Sequence, residues 1–201
     1  GIFYDPLSDE FIDHVDGQAD LDAGLIRAIG DADQRFAEDK LRLLRAVRFA
    51  AALQFRIEPG TWAAIQQHAG EITVVSAERI QGELQKILQH RQRFRGLELL
   101  RDSGLLAAVL PELDTADPGA WSELETTLDK LHLPDFPIAL AACGASLAPE
   151  RNLETACQRL KLSNHDRQLV LWLQQHLPQV ILLHQAPWPQ AQRLLIEPQI
   201  S

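Results

Sequence analysis

The run from Arg35 to Arg56 contains neither glycine nor proline and consists almost entirely of good helix formers. It predicts one long helix reaching about Phe55. At 3.6 residues per turn, Glu38, Arg42, Arg45 and Phe49 fall on one stripe, with Arg35 and Asp39 flanking it. Leu43, Leu44, Val47, Ala50 and Ala51 face the other way and suit a core. The polar face thus collects a carboxylate pair and several guanidiniums beyond what amphipathicity requires.

The chemistry open to that face follows from its donors and acceptors. A carboxylate only accepts hydrogen bonds and an arginine only donates them. Asp39 and Arg42, three apart, are expected to be surface neighbours on a helix. An acceptor beside a donor complements a flat heteroaromatic edge of opposite pattern. Cytosine offers an amino donor (N4) beside an acceptor (N3), and adenine an amino donor (N6) beside an acceptor (N1). Uracil and guanine present a carbonyl beside an N–H, so both contacts become mismatches. Glu38, four residues before Arg42, is placed to hold the guanidinium. The alternative is a solvated ion-pair face, worth only a few tenths of a kcal/mol per pair.

The surrounding phrases bear on that choice. They are Asp16-Gly17 with Asp20-Leu21, Ile26-Arg27-Ala28-Ile29-Gly30-Asp31, Arg35-Phe36, Glu38-Asp39-x-x-Arg42, Arg45-Ala46-x-Arg48-Phe49, and Val75-Ser76-x-Glu78-Arg79-Ile80-x-x-Glu83-Leu84. In that order they closely resemble the neck region of class II tRNA nucleotidyltransferases and bacterial poly(A) polymerases. The resemblance implies that Asp39 and Arg42 form a protein template for the base of incoming CTP or ATP, with Glu38 orienting the arginine. Arg45 is a candidate for reaching the triphosphate or for holding the head against the neck. Arg48 is read as a structural partner of Glu83 or Glu78. Asp13, Asp16, Gly17 and Asp20 become hinge and cap residues between head and neck.

A family enzyme carries an upstream head domain whose Gly-Ser loop and D-x-D carboxylates hold two Mg²⁺ ions. Both the loop and the metal-binding D-x-D are read as absent from this sequence, which holds no methionine and opens on Gly1. The resemblance therefore implies the end of the head (1–16, a β-hairpin), a neck (17–111) and an incomplete helical body (112–201). Such a piece is expected to be inactive alone, to hold no catalytic or metal-binding residue of its own, and to work against its own head domain. Its partners would be ATP or CTP and tRNA or another RNA 3′ end. Whether it adds CCA, CC, A or poly(A) is left open. The competing reading is a non-catalytic helical adaptor, binding RNA or protein, that has kept the neck sequence.

Net charge is −9, which argues against RNA binding over the whole surface. One basic zone stands out: Lys86, His90, Arg91, Arg93, Arg95 and Arg101, with Phe94 interleaved. Lys86, Arg91, Arg93 and Arg95 are its candidate RNA contacts, the alternative being cations that complement their own helix dipoles. Hydrophobic residues at 46% and charged residues at 23% are ordinary globular values. Cys143 and Cys157 lack metal-ligand spacing and suggest a reducing compartment. No apolar run approaches the ~18 residues of a membrane span. The expected location is cytoplasmic, with no membrane partner.

Read in order, the chain predicts an all-α fold beyond residue 20, preceded by two short strands across Pro6-Leu7-Ser8-Asp9. Helices are expected over Leu21–Ile29, the motif stretch, Thr61–His68, Ser76–Gln89 and Arg93–Ser103, with a stop at Gly104. A short apolar helix then ends before Pro111. A polar linker at Glu112–Gly119 precedes helices near Ala120–Leu131, Phe136–Ala148, Leu153–Leu160, His165–Leu177 and Pro189–Ile196. His165-Asp166 is read as the first turn of a helix capped by Ser163 or Asn164, not as a metal site. His132, His176 and His184 are scattered, and Trp62, Trp121, Trp172 and Trp188 are read as core or interface residues.

Overall fold

The computed structural model describes residues 2–115, 117–132 and 134–181. It is all-α after an N-terminal hairpin, as the sequence predicts. Strands β1 (Ile2–Asp5) and β2 (Glu10–Asp13) pair antiparallel, Ile2 opposite Asp13. The turn is held by Asp5, whose carboxylate accepts from the Leu7 N–H at 2.9 Å and the Ser8 hydroxyl at 3.1 Å. The chain divides into two compact units, Gly1–Val109 and Leu110–Ser201.

After the hairpin, the first unit contains α1 (Gly17–Asp22), β3 (Leu25–Ile26), α2 (Ala32–Glu38), α3 (Leu41–Leu53), β4 (Arg56–Ile57) and α4 (Pro59–His68). A 3₁₀ turn (Ala69–Val74), α5 (Ala77–Leu88), α6 (Arg93–Asp102) and α7 (Leu105–Val109) complete it. The helix expected over Leu21–Ile29 does not form. Gly24 takes a left-handed φ of 61°, and β3 then pairs in parallel with β4, Ile26 opposite Ile57. The Arg56 N–H donates to Gly24 O and the Glu58 N–H to Ile26 O, both at 2.9 Å. Two residues of apolar, half-buried chain thus find partners across the fold instead of along a helix.

Helix α3 is the spine of this unit. Leu43, Leu44, Val47, Ala50 and Ala51 are buried, as the periodicity predicts. Helices α5 and α6 pack on it, and a Cβ on Gly96 of α6 would lie 2.5 Å from Ile87 Cγ2. Glycine there permits a close approach that no side chain allows. Helix α4 starts on Pro59 and is capped by Glu58, which accepts from the Gly60 and Thr61 N–H groups at 2.9 and 2.7 Å.

The second unit comprises a 3₁₀ turn (Pro111–Leu113), α8 (Pro118–Lys130), α9 (Phe136–Leu147), α10 (Glu154–Arg159) and α11 (Asn164–Ile181). Helix α9 is apolar on nearly every side and packs against both α8 and α11. The Gln174 amide donates to the carbonyls of Ala148 and Arg151 at 3.2 and 2.6 Å, tying α11 to the loop after α9. Trp121 and Trp172 are buried, whereas Trp62 is only half-buried. The expected helix Pro189–Ile196, with His184 and Trp188, lies outside the described residues. No helix among the described residues is long and apolar enough to cross a membrane.

Candidate nucleotide and RNA interface

The predicted continuous helix breaks at Asp39. Helix α2 ends at Glu38, Asp39 is extended (φ −150°, ψ 103°), and α3 begins at Leu41. The cause is the aspartate itself. Its Oδ1 accepts the Leu41 N–H at 3.1 Å, a local bond that competes with the helical ladder and restarts the helix two residues on. Asp39 and Arg42 are therefore not neighbours on one helical face. They are joined through the first turn of α3, where the Arg42 N–H donates to Asp39 O at 3.0 Å. A carboxylate at that end also suits the helix dipole.

Arg42 is firmly held. Its Nη1 donates to Arg35 O at 2.7 Å and to the Glu38 carboxylate. Glu38 also accepts from Arg35 Nη1 at 2.7 Å. The hydrogen bond from Arg42, and then the charge of Arg35, hold the Glu38 carboxyl below its ordinary range. With both Nη1 hydrogens committed, the Nη2 and Nε donors of Arg42 have no partner among the described residues. Arg45 and Phe49 follow along the exposed stripe of α3. The Arg48 guanidinium carbon lies 4.0 Å from the Phe49 ring centroid.

The other side of the site comes from a residue that spacing along one helix does not indicate. Arg79, near the start of α5, places Nη2 at 3.2 and 3.0 Å from the two Asp39 oxygens. It stands 40 positions downstream, and its only sequence signal is the Glu78-Arg79-Ile80 phrase. Arg48 behaves as expected: its Nε lies 2.7 Å from Glu83 Oε2 and couples α3 to α5. Neither of these two atoms has a hydrogen-bond partner among the described residues, so the contact is an ion pair without hydrogen-bond geometry. Below the site, His68 bridges Asp33 at 2.9 Å and Glu71 at 2.7 Å, and Glu71 also pairs with Lys40. Glu71 first, then Asp33, raises the His68 pKa.

The basic zone divides into buried and exposed side chains. Arg93 is buried and donates Nε to Leu88 O at 3.1 Å, so it closes the α5–α6 turn and is not open to a phosphate. This corrects its place among the candidate RNA contacts. Arg91 and Arg95 are exposed, Arg95 facing Glu98 at 3.4 Å, and Lys86 pairs with Glu83 at 2.9 Å.

Two tripeptides do match D-x-D by letter, Asp20-Leu21-Asp22 and Asp31-Ala32-Asp33. Three of their four carboxylates are engaged separately. Asp20 binds Arg27 Nε at 3.0 Å, Asp31 caps α2 through the Gln34 N–H at 2.8 Å, and Asp33 faces His68. No group of three His, Cys, Asp or Glu side chains that could hold a metal occurs among the described residues. His165 and Asp166 lie in the first turn of α11, where the Asp166 N–H donates to the Ser163 hydroxyl at 3.1 Å.

Residues 54–117, from the end of α3 past α7, match a family model described as the probable RNA and SrmB-binding site of polymerase A. The CCA-adding enzyme of Latilactobacillus sakei is 48% identical over 96 residues, covering 48% of this chain and 24% of that protein. The multifunctional CCA protein of Cupriavidus metallidurans is 33% identical over 202 residues, covering 84% and 48% respectively. The chain thus spans from 24% to 48% of the length of these two curated relatives. A CCA-adding enzyme solved with CTP superposes with a TM-score of 0.70 at 20% identity, over 94% of this chain and 48% of that one. The Thermotoga maritima CCA-adding enzyme complexed with tRNA gives 0.71 at 21%, over 94% and 49%. At such identities the structural likeness concerns the fold. The chain is thus similar in sequence and in fold to the CCA-adding enzymes, over the part of them that it spans.

Proposed function

We propose that the chain is the neck and body segment of an RNA nucleotidyltransferase that adds C, A or both to RNA 3′ ends. Asp39 and Arg42 act as the template for the incoming base. Asp39 accepts the amino group of cytosine or adenine, while an Nη2 or Nε donor of Arg42 meets the ring nitrogen beside it. Glu38 orients Arg42, and Arg45, one turn further along α3, reaches toward the triphosphate. The exposed Arg91 and Arg95, with Lys86, give RNA phosphates a short cationic track. The observation that carries this reading is the holding of Arg42. A guanidinium fixed at Nη1 by both Glu38 and a main-chain carbonyl, with its remaining donors uncommitted among the described residues, is a preorganised reader of a base edge.

Phosphoryl transfer in this class depends on Mg²⁺. The carboxylates described above do not converge on a metal, so no step assigned to this chain runs through one. The D-x-D pair that binds Mg²⁺ is assigned instead to a head domain preceding this segment. The relatives solved with CTP and with tRNA carry the nucleotide and RNA that this reading assigns to the site. The test is incorporation of labelled CTP or ATP, with Mg²⁺, into tRNA lacking its 3′ end. The complete protein is expected to incorporate both or one of them, and the 201-residue chain none. A complete protein that binds RNA but incorporates nothing supports the adaptor reading instead.

A further inference from the structure

We propose that His68 is a proton-operated latch: as an imidazolium it ties α2 to the end of α4, and as a neutral imidazole it lets α2 go. What faces the ring requires this. Nδ1 lies 2.7 Å from a Glu71 oxygen and Nε2 lies 2.9 Å from an Asp33 oxygen. Ionised carboxylates only accept, so both ring nitrogens must carry hydrogen for both bonds to exist, and that is the charged form. A neutral ring has one N–H, and its other nitrogen then sets a lone pair against a carboxylate. The charged groups acting on the ring are Asp33 of α2, Glu71 of the 3₁₀ turn and Lys40 at the start of α3. The two carboxylates outweigh the lysine. His68 also sits in the last turn of α4, where the helix dipole favours a cation.

Helix α2 has little else to hold it. It spans seven residues, too short to persist alone, and Phe36 is the one side chain it buries. A cleft of about 400 Å³ is lined by its first turn and by α4, including Asp31, Asp33, Thr61 and Gln67, so apolar packing does not seal that side. The bond that a neutral ring gives up follows from the surroundings. Glu71 is three residues from His68 and is also paired with Lys40, whereas Asp33 lies 35 positions away with its side chain 58% exposed. The single remaining N–H stays with Glu71, and Asp33 turns to water. Once released, α2 loosens the Glu38 carboxylate and the Arg35 carbonyl that hold Arg42. Proton loss thereby reaches nucleotide binding, a step that rests on the template reading of Arg42. Glu71 first, and then Asp33, hold the ring above its ordinary pKa, so the latch is closed below 6.5 and opens as pH rises through the raised value.

Amide hydrogen exchange across α2 in the 201-residue chain tests the latch, read as protection relative to the intrinsic rate at each pH. Protection over α2 should fall about tenfold between pH 6 and pH 9, the equivalent of one charged hydrogen bond, while the buried face of α3 keeps its protection. His68→Gln should show the low value throughout, and His68→Arg, charged at every pH, the high one. A wild-type α2 whose protection ignores pH, or an equal fall in His68→Gln, would overturn the latch. In the complete protein, the ratio of wild-type to His68→Arg KM for CTP or ATP should rise several-fold from pH 6 to pH 9. If α2 opens but that ratio stays flat, while Arg42→Ala destroys selectivity, the link from the latch to the nucleotide is overturned. If Arg42→Ala itself leaves KM and selectivity intact, the template reading fails and the latch stands on the exchange result alone.

Discussion

Removing Glu83 should test how the site is held together. Its side chain is 7% exposed and touches Arg48 at 2.7 Å and Lys86 at 2.9 Å. Glu83→Ala strands the Arg48 guanidinium, and breaking a buried pair in this way typically costs about 3–5 kcal/mol. Arg48 keeps 20% exposure and lies against the Phe49 ring, so part of that loss is recovered by water and the ring face. The expected cost is therefore ~2–3 kcal/mol. The double variant Arg48→Met with Glu83→Leu removes both charges and should lie within ~1 kcal/mol of wild type. Urea unfolding with an unchanged m-value, followed by helical circular dichroism, measures both. A Glu83→Ala change within ~0.5 kcal/mol of wild type would show that the pair does not hold α5 on α3.

Other consequences follow from the packing and the titrating groups. Gly96→Ala gains about 1 kcal/mol of helix propensity but forces its methyl to within 2.5 Å of Ile87 Cγ2, so net destabilisation is expected in urea; a stabilised variant would contradict the packing. His68 has a raised pKa in the fold, so the stability it adds is complete below its ordinary value of 6.5 and is lost as pH rises through the raised value. The stability difference between wild type and His68→Gln should accordingly shrink from pH 6 to pH 9, and a difference that grows with pH would refute the bridge. Burial pushes the Cys157 thiol up to about 11, and Cys143 is also buried, so a thiol reagent at pH 8 should label both only on unfolding.

The sequence was most legible where one period governed a stretch. The buried face of α3 follows from the positions of Leu43, Leu44, Val47, Ala50 and Ala51, and Glu83 is one of the two partners, with Glu78, expected for Arg48. The break at Asp39 was hidden because no glycine or proline marks it. A side-chain bond to Leu41 does the work of a breaker, and propensity does not register that bond. The β3–β4 pairing was equally hidden, since it joins residues some 30 positions apart and each strand is only two residues long. Arg93 looked like one cation of a basic run, but its burial depends on the turn between α5 and α6. Arg79 went unassigned for a similar reason, because only the tertiary docking of α5 brings it to Asp39.

The central claim is that Asp39 and Arg42 read the base, and kcat/KM for all four nucleotides tests it most directly. Arg42→Ala leaves no core cavity, and Asp39→Ala removes the first-turn cap of α3 at a cost of about 1 kcal/mol, so both variants should remain folded. Each lost hydrogen bond to the base, one partner being charged, is worth roughly 1.5–3 kcal/mol in the transition state. In the complete enzyme, kcat/KM for CTP or ATP should therefore fall by roughly 10- to 150-fold in either variant. The preference over UTP and GTP should collapse with it. Near-normal kcat/KM with intact selectivity in both variants would contradict the account and return this face to a set of solvated ion pairs.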